Sequence, residues 1–291
     1  MKINSFLQSA LPEQPFYALF GNPVGHSMSP LIHNRALQFH SLRGSYHAIE
    51  VAKDQIQLIE KVVRHPNFKG ANVTIPYKQD IQQFLNQISE TSQQIGAVNT
   101  VVRSGDALLG YNTDVDGFIQ PLKLKSDSYK GESAVIFGAG GAAKAVVYGL
   151  LQLGFDSVCV VSRNPQKLNE NAWFSDGRLF FKSYQEIENE LQNAKLIVNT
   201  TPLGMHPNIS ESPFPTESAV SLKDKICYDI VYNPLKTRFL MDAEEQGAEI
   251  IDGLGMFVGQ ASVAFKLWTG FNFPDHEIYH LLKAKITAKN G

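Results

Sequence analysis

Residues Ser133 to Lys144, Ser-Ala-Val-Ile-Phe-Gly-Ala-Gly-Gly-Ala-Ala-Lys, constrain the fold more than any other stretch of the chain. The pattern predicts a buried strand from Ala134 to Phe137, a glycine turn, and a helix from about Ala142 to Leu153. Gly138 permits the tight turn, and Gly140 lets the backbone approach a pyrophosphate. The free N–H groups at the helix start then face the phosphates. Ala139, Gly141 and Ala142 complete the turn, and Ala143 is the third small residue of a Gly-x-Gly-Gly-x-Ala fingerprint. A glycine turn with no ligand has the same local sequence. The context favours a dinucleotide: an apolar strand precedes, an apolar-periodic helix follows, and a second strand, Ser157 to Val161, closes a βαβ unit.

The end of that second strand selects the dinucleotide. An NAD-binding unit places an acid roughly 20 residues past the glycines to hold the ribose 2′-hydroxyl. Here the strand runs into Ser162-Arg163-Asn164, with Lys167 just beyond. A carboxylate would repel a 2′-phosphate, whereas a guanidinium binds it through charge-assisted hydrogen bonds of about 1.5–3 kcal/mol each. The expected cofactor is NADP. The competing account of Arg163 is a solvated loop residue.

A chain of 291 residues has room for two domains of ordinary size. Its composition, 43% hydrophobic and 19% charged, is that of a soluble globular protein, and a formal charge of −2 gives no sign of nucleic-acid binding. Cys159 and Cys227 sit in apolar strand-like runs and read as buried thiols of a cytoplasmic protein. No Cys/His cluster suggests a metal, no secretory signal pattern opens the chain, and no apolar run reaches the ~20 residues of a membrane span. Ile3, Phe6, Leu7 and Ala10 form one helical stripe, to which no function is assigned.

The first half reads as a separate α/β domain. Phe16 to Gly21 is a short strand, followed by His26-Ser27-Met28-Ser29-Pro30. Pro30 suits a first helical turn, and Ser29 suits its N-cap. Capping does not account for two serines at i and i+2 beyond a strand's carboxyl end, where open α/β sheets bind ligands. His26 reads as structural. The helix runs to about Gln38. Ser45 to Val51 is a strand and Lys53 to Arg64 an amphipathic helix. A strand broken by Pro76 brings Thr74 and Lys78 to its end. A lysine there is ordinarily solvated, although Pro76 fixes its turn. Gly96 to Val102 reads as a strand with Asn99 in its interior, which requires a satisfied amide from either a structural network or a ligand. Asp114 ends the next strand and is either a helix N-cap or a functional acid. In the second half, Ala194 to Val198, Ile226 to Val231 and Glu249 to Ile251 are further strands. Met256 to Trp268 is an apolar helix that carries Gln260.

With these residues laid out, the chain resembles the shikimate dehydrogenases from Phe16 to about Trp268. The likeness rests on several blocks in order: Ser27 and Ser29; Asn72, Val73, Thr74, Pro76 and Lys78; Gly96 to Thr100; Asn112, Thr113 and Asp114; the glycine loop; Asp229 to Tyr232; and Asp252-Gly253 with Met256 and Gln260. The resemblance implies NADP-dependent reversible reduction of 3-dehydroshikimate to shikimate, a step toward chorismate and the aromatic amino acids. It implies a substrate domain over residues 1–115, joined by C-terminal helices over 255–291, and a doubly wound Rossmann domain over 116–254. It implies Lys78 and Asp114 as the catalytic pair. Ser27, Ser29, Thr74, Asn99, Asp114, Tyr232 and Gln260 would bind substrate. Gly138 to Ala143, Ser162, Arg163, Asn164, Lys167, Ile230 and Gly253 would bind NADP, with Glu90 as a further acidic contact. The family often carries Asn-Arg-Thr where this chain has Ser162-Arg163-Asn164; the arginine is kept and its flanking groups are exchanged. A small-molecule substrate, no nucleic-acid or membrane partner, and a monomer or homodimer complete the expectation. The alternatives are a quinate/shikimate dehydrogenase with relaxed choice and a noncatalytic sensor on the same fold.

Overall fold

The computed structural model describes residues 1–9, 12–125, 129–170, 173–215 and 218–290. Ala10, the last member of the expected N-terminal stripe, lies outside them; Ile3 and Phe6 are buried in helix α1 (Ile3–Gln8). The chain divides into two compact units, Met1–Thr113 with Gln260–Ile278 and Asp114–Gly259 with Tyr279–Gly291. The resemblance instead implies that the whole tail joins the first domain. Periodicity cannot show that the division falls inside one continuous helix.

The first unit is built on a six-stranded mixed sheet. Its elements are β1 (Phe16–Gly21), α2 (Ser29–Phe39), β2 (Ser45–Glu50), α3 (Leu58–Val63), β3 (Phe68–Val73), β4 (Gln87–Ile88), α4 (Glu90–Ile95), β5 (Thr100–Ser104) and β6 (Ala107–Tyr111). The spatial order is β2-β1-β3-β5-β6-β4, with β1 parallel to both neighbours and β5 antiparallel to β3 and β6. Every residue of β1 is buried, as a central strand covered on both faces requires. Phe6, Phe16 and Phe68 meet edge-on at 5.7 and 5.8 Å in one core cluster. The helix expected over Lys53–Arg64 is split into a 3₁₀ turn, Lys53–Gln55, and α3. Trp268 closes the other face: its Nε1 donates to the Val101 carbonyl at 2.9 Å. A side chain at Gly70 would collide with that indole.

The second unit carries α5 (Asp114–Lys123), β7 (Ser133–Phe137), α6 (Gly141–Gln152), β8 (Ser157–Val161), α7 (Pro165–Glu170), β9 (Leu179–Lys182), α8 (Glu188–Asn193), β10 (Leu196–Asn199), β11 (Ile226–Asp229), α9 (Arg238–Glu245) and β12 (Glu249–Ile251). Helix α10 (Leu254–Thr269) spans the division, and α11 (Asp275–Asn290) ends the described chain. The sheet is parallel throughout, ordered β12-β11-β10-β7-β8-β9. Counted within the unit this is the 3-2-1-4-5-6 order of a doubly wound Rossmann sheet, with its switch point between β7 and β10. Burial on both faces explains why β7, β8, β10 and β11 read as apolar runs. Phe118 of α5 stacks on Tyr228 of β11 at 5.0 Å, and both are fully buried. Burial of such a ring contributes about 2–3 kcal/mol.

Candidate active site

In the first unit the candidate residues gather at the carboxyl ends of β1 and β3. Ser29 is the first residue of α2, not its cap; Met28 holds the cap position and no side chain caps the helix. This corrects the capping account. The Ser29 N–H donates to Ser27 Oγ at 3.2 Å, and Ser27 Oγ donates to Ser29 Oγ at 3.2 Å. Beneath them the Tyr46 hydroxyl meets the Ser29 side chain and donates to Asn72 Oδ1 at 2.8 Å. Asn72 Nδ2 donates to Thr100 Oγ1 at 3.2 Å, and that hydroxyl donates to Asn99 Oδ1 at 3.0 Å. Asn99 Nδ2 donates to Thr113 Oγ1 at 3.1 Å, while Asn99 Oδ1 accepts from the Thr113 N–H at 2.8 Å. A continuous polar chain thus joins Ser27, Ser29 and Asn99, and most of its members are buried. Burial raises the Tyr46 phenol well above its usual pKa, so it works as a neutral hydroxyl. The His33 ring stacks on Tyr46 at 4.5 Å, and burial lowers its pKa to about 3, partly opposed by Asn72; it too is neutral.

Asn99 lies just before β5 instead of within it, because Gly96 ends α4 in a left-handed turn and Ala97–Asn99 lead into the strand. Its amide is nonetheless satisfied, by the network just described. Thr74 is half-buried at the end of β3: its N–H donates to the Phe20 carbonyl at 2.8 Å, and its carbonyl accepts from the Tyr77 N–H at 3.0 Å. The Lys78 backbone is held because its carbonyl accepts from the Val98 N–H at 2.8 Å. Neighbouring Tyr77 is buried, with its hydroxyl donating to the Val51 carbonyl at 2.5 Å. The Lys78 side chain is half-buried. Gln260 is 9% exposed and grouped with this unit. Glu90, the first residue of α4, also belongs here, unlike every other cofactor candidate. It is exposed, and its Oε1 accepts from Gln94.

The second unit holds the remaining candidates. Asp114 is the first residue of α5, directly after Thr113, and is 9% exposed. Gly138 adopts φ +103°, and a side chain there would meet Thr200 Oγ1 at 2.8 Å, so only glycine makes this turn. At Gly140 and Gly141 the space for a side chain is open, and no side chain caps α6. Uncapped N–H groups at the start of a 12-residue helix beside open glycines fit a pyrophosphate. Ala139 and Ala142 are half-buried in this turn, and Ala143 is fully buried. Ser162 Oγ accepts from the Asn164 N–H at 3.2 Å, and Asn164 Oδ1 accepts from the Lys167 N–H at 3.3 Å. Those two side chains therefore shape the turn into α7, while Arg163 between them is exposed. The exchange of flanking groups thus leaves the guanidinium presented. Arg163 also opposes, in part, the rise that burial imposes on the Tyr184 phenol.

Ile230 and Gly253 lie together. The Gly253 N–H donates to the Val231 carbonyl at 3.2 Å, and a side chain at 253 would collide with the Ile230 carbonyl. The Tyr232 ring stacks on Phe257 of α10 at 4.3 Å.

Sequence reasoning overlooked Tyr46, Tyr184 and Phe257, for which it offers no local signal, and Thr237, whose place before α9 is an N-cap signal. It placed Asn199 at the head of a polar loop beside the cofactor without giving it a role of its own, and it left Asp229 without a role. Each of these two is a polar residue ending a buried strand, which is a usable signal.

The chain is similar to two families of domain. A model described as the shikimate dehydrogenase substrate binding domain matches residues 19–101, and one described as the shikimate 5′-dehydrogenase C-terminal domain matches residues 253–283. A Bacillus licheniformis protein named shikimate dehydrogenase (NADP(+)) is 43% identical over 260 residues, 88% of this chain and 92% of its own. Shikimate 5-dehydrogenase from Thermus thermophilus, solved in complex with NADP(H) and shikimate, is similar at TM-score 0.82 and 36% identity, over 93% of this chain and 99% of that one. Quinate dehydrogenase from Corynebacterium glutamicum, solved in complex with NAD, is similar at TM-score 0.83 and 27% identity, over 93% and 99%.

Proposed function

The chain belongs to the shikimate dehydrogenase family, and we propose that it catalyses the NADP-dependent, reversible reduction of 3-dehydroshikimate to shikimate. The observation that carries this reading is 43% identity over nine-tenths of a relative of that name, in a chain that keeps Lys78 and Asp114. Reduction of a ring ketone needs a hydride at carbon and a proton at oxygen. Bound NADPH supplies the hydride. Lys78, as an ammonium, gives the proton and stabilises the developing alkoxide; in the reverse direction the amine takes it from the hydroxyl. A positioned group of this kind contributes about 10²–10⁴-fold. Asp114 is the catalytic acid partner and a substrate contact. Ser27, Ser29, Thr74, Asn99, Tyr232 and Gln260 bind the substrate's hydroxyls and carboxylate.

The residues assigned to NADP are Gly138 to Ala143 at the pyrophosphate, Ser162, Arg163, Asn164 and Lys167 at the 2′-phosphate, and Ile230 and Gly253 beyond. Glu90 is assigned as an additional acidic contact. The open glycine turn and the exposed Arg163 support this set. The enzyme is assigned to the cytoplasm, as a monomer or homodimer. Two buried free thiols support a reducing compartment, and among the described residues no helix is long and apolar enough to cross a membrane.

The likeness to a quinate dehydrogenase solved with NAD favours one second reading, a dehydrogenase with relaxed choice of acid and cofactor. A site that does not hydrogen-bond quinate's extra hydroxyl rejects it only about 10²-fold. Absorbance at 340 nm, measured with shikimate and quinate against NADP and NAD, separates the two. Shikimate with NADP is expected to give the highest kcat/KM, and no turnover with that pair would overturn the proposal.

A further inference from the structure

One buried carboxylate in the second unit has no part in the chemistry above. Asp229 ends β11 and exposes no surface. Its Oδ2 accepts from Asn199 Nδ2 at 3.0 Å and from Thr237 Oγ1 at 2.6 Å, and its Oδ1 accepts from the Val231 N–H at 2.9 Å. All three donors are neutral. Burial raises its pKa to about 6 despite these three bonds. Keeping the group ionised at neutral pH therefore costs the unit stability.

The donors come from three different elements. Asn199 ends β10, Val231 lies within the turn after β11, and Thr237 caps α9. Asn199 extends the reach of the carboxylate. Its Oδ1 accepts from the Thr201 N–H at 2.9 Å and from Thr201 Oγ1 at 2.7 Å, and its Nδ2 also donates to the Leu203 carbonyl at 3.1 Å. The Ile230 N–H donates to the Asn199 carbonyl at 3.1 Å. One carboxylate thus ties the turn at Thr200–Leu203 to the turn at Ile230–Tyr232. Both follow strands at the carboxyl edge of the sheet, where doubly wound folds bind their ligands.

We propose that Asp229 is a positioning residue for NADP: through Asn199, Val231 and Thr237 it sets the spacing of the turns after β10 and β11. This role rests on the reading of the unit as NADP-binding. A carboxylate suits it because it only accepts, so it can take all three donors at once; an asparagine must present an N–H₂ to donors that need an acceptor.

The test is Asp229→Asn in the full chain, with two readouts that need no turnover. NADPH affinity, titrated by its fluorescence, is expected to fall about tenfold, the factor that ~1.4 kcal/mol represents. Amide hydrogen exchange in the protein without NADP is expected to speed up at residues 200–204 and 230–232, and to stay unchanged at residues 19–101. Thr237→Val is expected to act in the same direction and Thr237→Ser to retain the original affinity, which separates loss of the contact from general misfolding. Unchanged NADPH affinity and unchanged exchange in both Asp229→Asn and Thr237→Val would overturn the proposal. Failure of the unsubstituted protein to oxidise shikimate would instead overturn the parent reading and would leave these two measurements standing.

Discussion

Each unit buries a polar network at the carboxyl edge of its sheet, and the two are built differently. The first runs from Ser27 through Ser29, Tyr46, Asn72 and Thr100 to Asn99 and Thr113, and every member is neutral. The second is centred on Asp229, an acid held among an amide, a hydroxyl and a backbone N–H. Neutral relays hold hydroxyls and amides in place with no dependence on pH. A buried carboxylate gathers its donors on one acceptor-only group but makes its unit sensitive to pH. The contrast teaches that rigid placement can be reached by many weak contacts or by one strong acceptor, and that the second route carries a stability cost.

The strongest way to break the comparison is to remove the group proposed to react. Lys78→Ala is expected to lower kcat at least 10²-fold, while NADPH affinity and Tm stay near those of the unsubstituted protein. Near-normal turnover would remove the lysine from the mechanism and the chemistry from the first unit.

The next effect concerns pH. Because the folded pKa of Asp229 lies near 6, above the ordinary 3.8, the folded state keeps its proton longer than the unfolded state. Its contribution therefore favours the fold below about pH 4, declines as pH rises to about 6, and stays flat above. The full loss is ~3 kcal/mol. Urea titrations between pH 4 and 7 should show this downward component, and Asp229→Asn should remove it. A difference between the two proteins that does not vary with pH would show that the carboxylate titrates normally.

Arg163→Ala sharpens the assignment of the second unit to NADP. NADPH binding is expected to weaken roughly tenfold to a hundredfold, by one to two charge-assisted contacts, with little change for NADH. Equal losses for both would place the 2′-phosphate elsewhere.

The smallest effect belongs to the neutral network. Tyr46→Phe keeps the stacking on His33 and removes one hydroxyl, so KM for shikimate is expected to rise about fivefold, near 1 kcal/mol. NADPH affinity should not change. A loss of both would mean that the relay supports the fold as a whole.

Most of the second unit was legible in the residues. Its strands are buried on both faces, so β7, β8 and β10 appear as short apolar runs with polar ends. The glycine turn announces itself because only glycine fits beside Thr200 at a positive φ. The first unit was legible mainly through its motifs. Ser27, Ser29, Lys78 and Asp114 stood out by residue type and position, whereas Tyr46, inside an ordinary strand, did not. The account of Ser29 as a helix cap fails because the helix begins at Ser29 itself, with Met28 in the cap position, and residue type does not fix a boundary to one position.

What the sequence determined by itself was local: strand, turn and helix around the glycines, an arginine in place of an acid, and the residues able to donate or accept a proton. Periodicity and residue chemistry act over a few positions and can be read from a single strand of text. What only the tertiary structure decided was partnership. Tyr46 reaches Asn72 across 26 residues, and Asn199 reaches Asp229 across 30. The division between the units falls within α10, where the helical pattern runs on unbroken. Such contacts depend on which strands lie side by side, and strand order follows from packing of the whole chain, not from any segment of it.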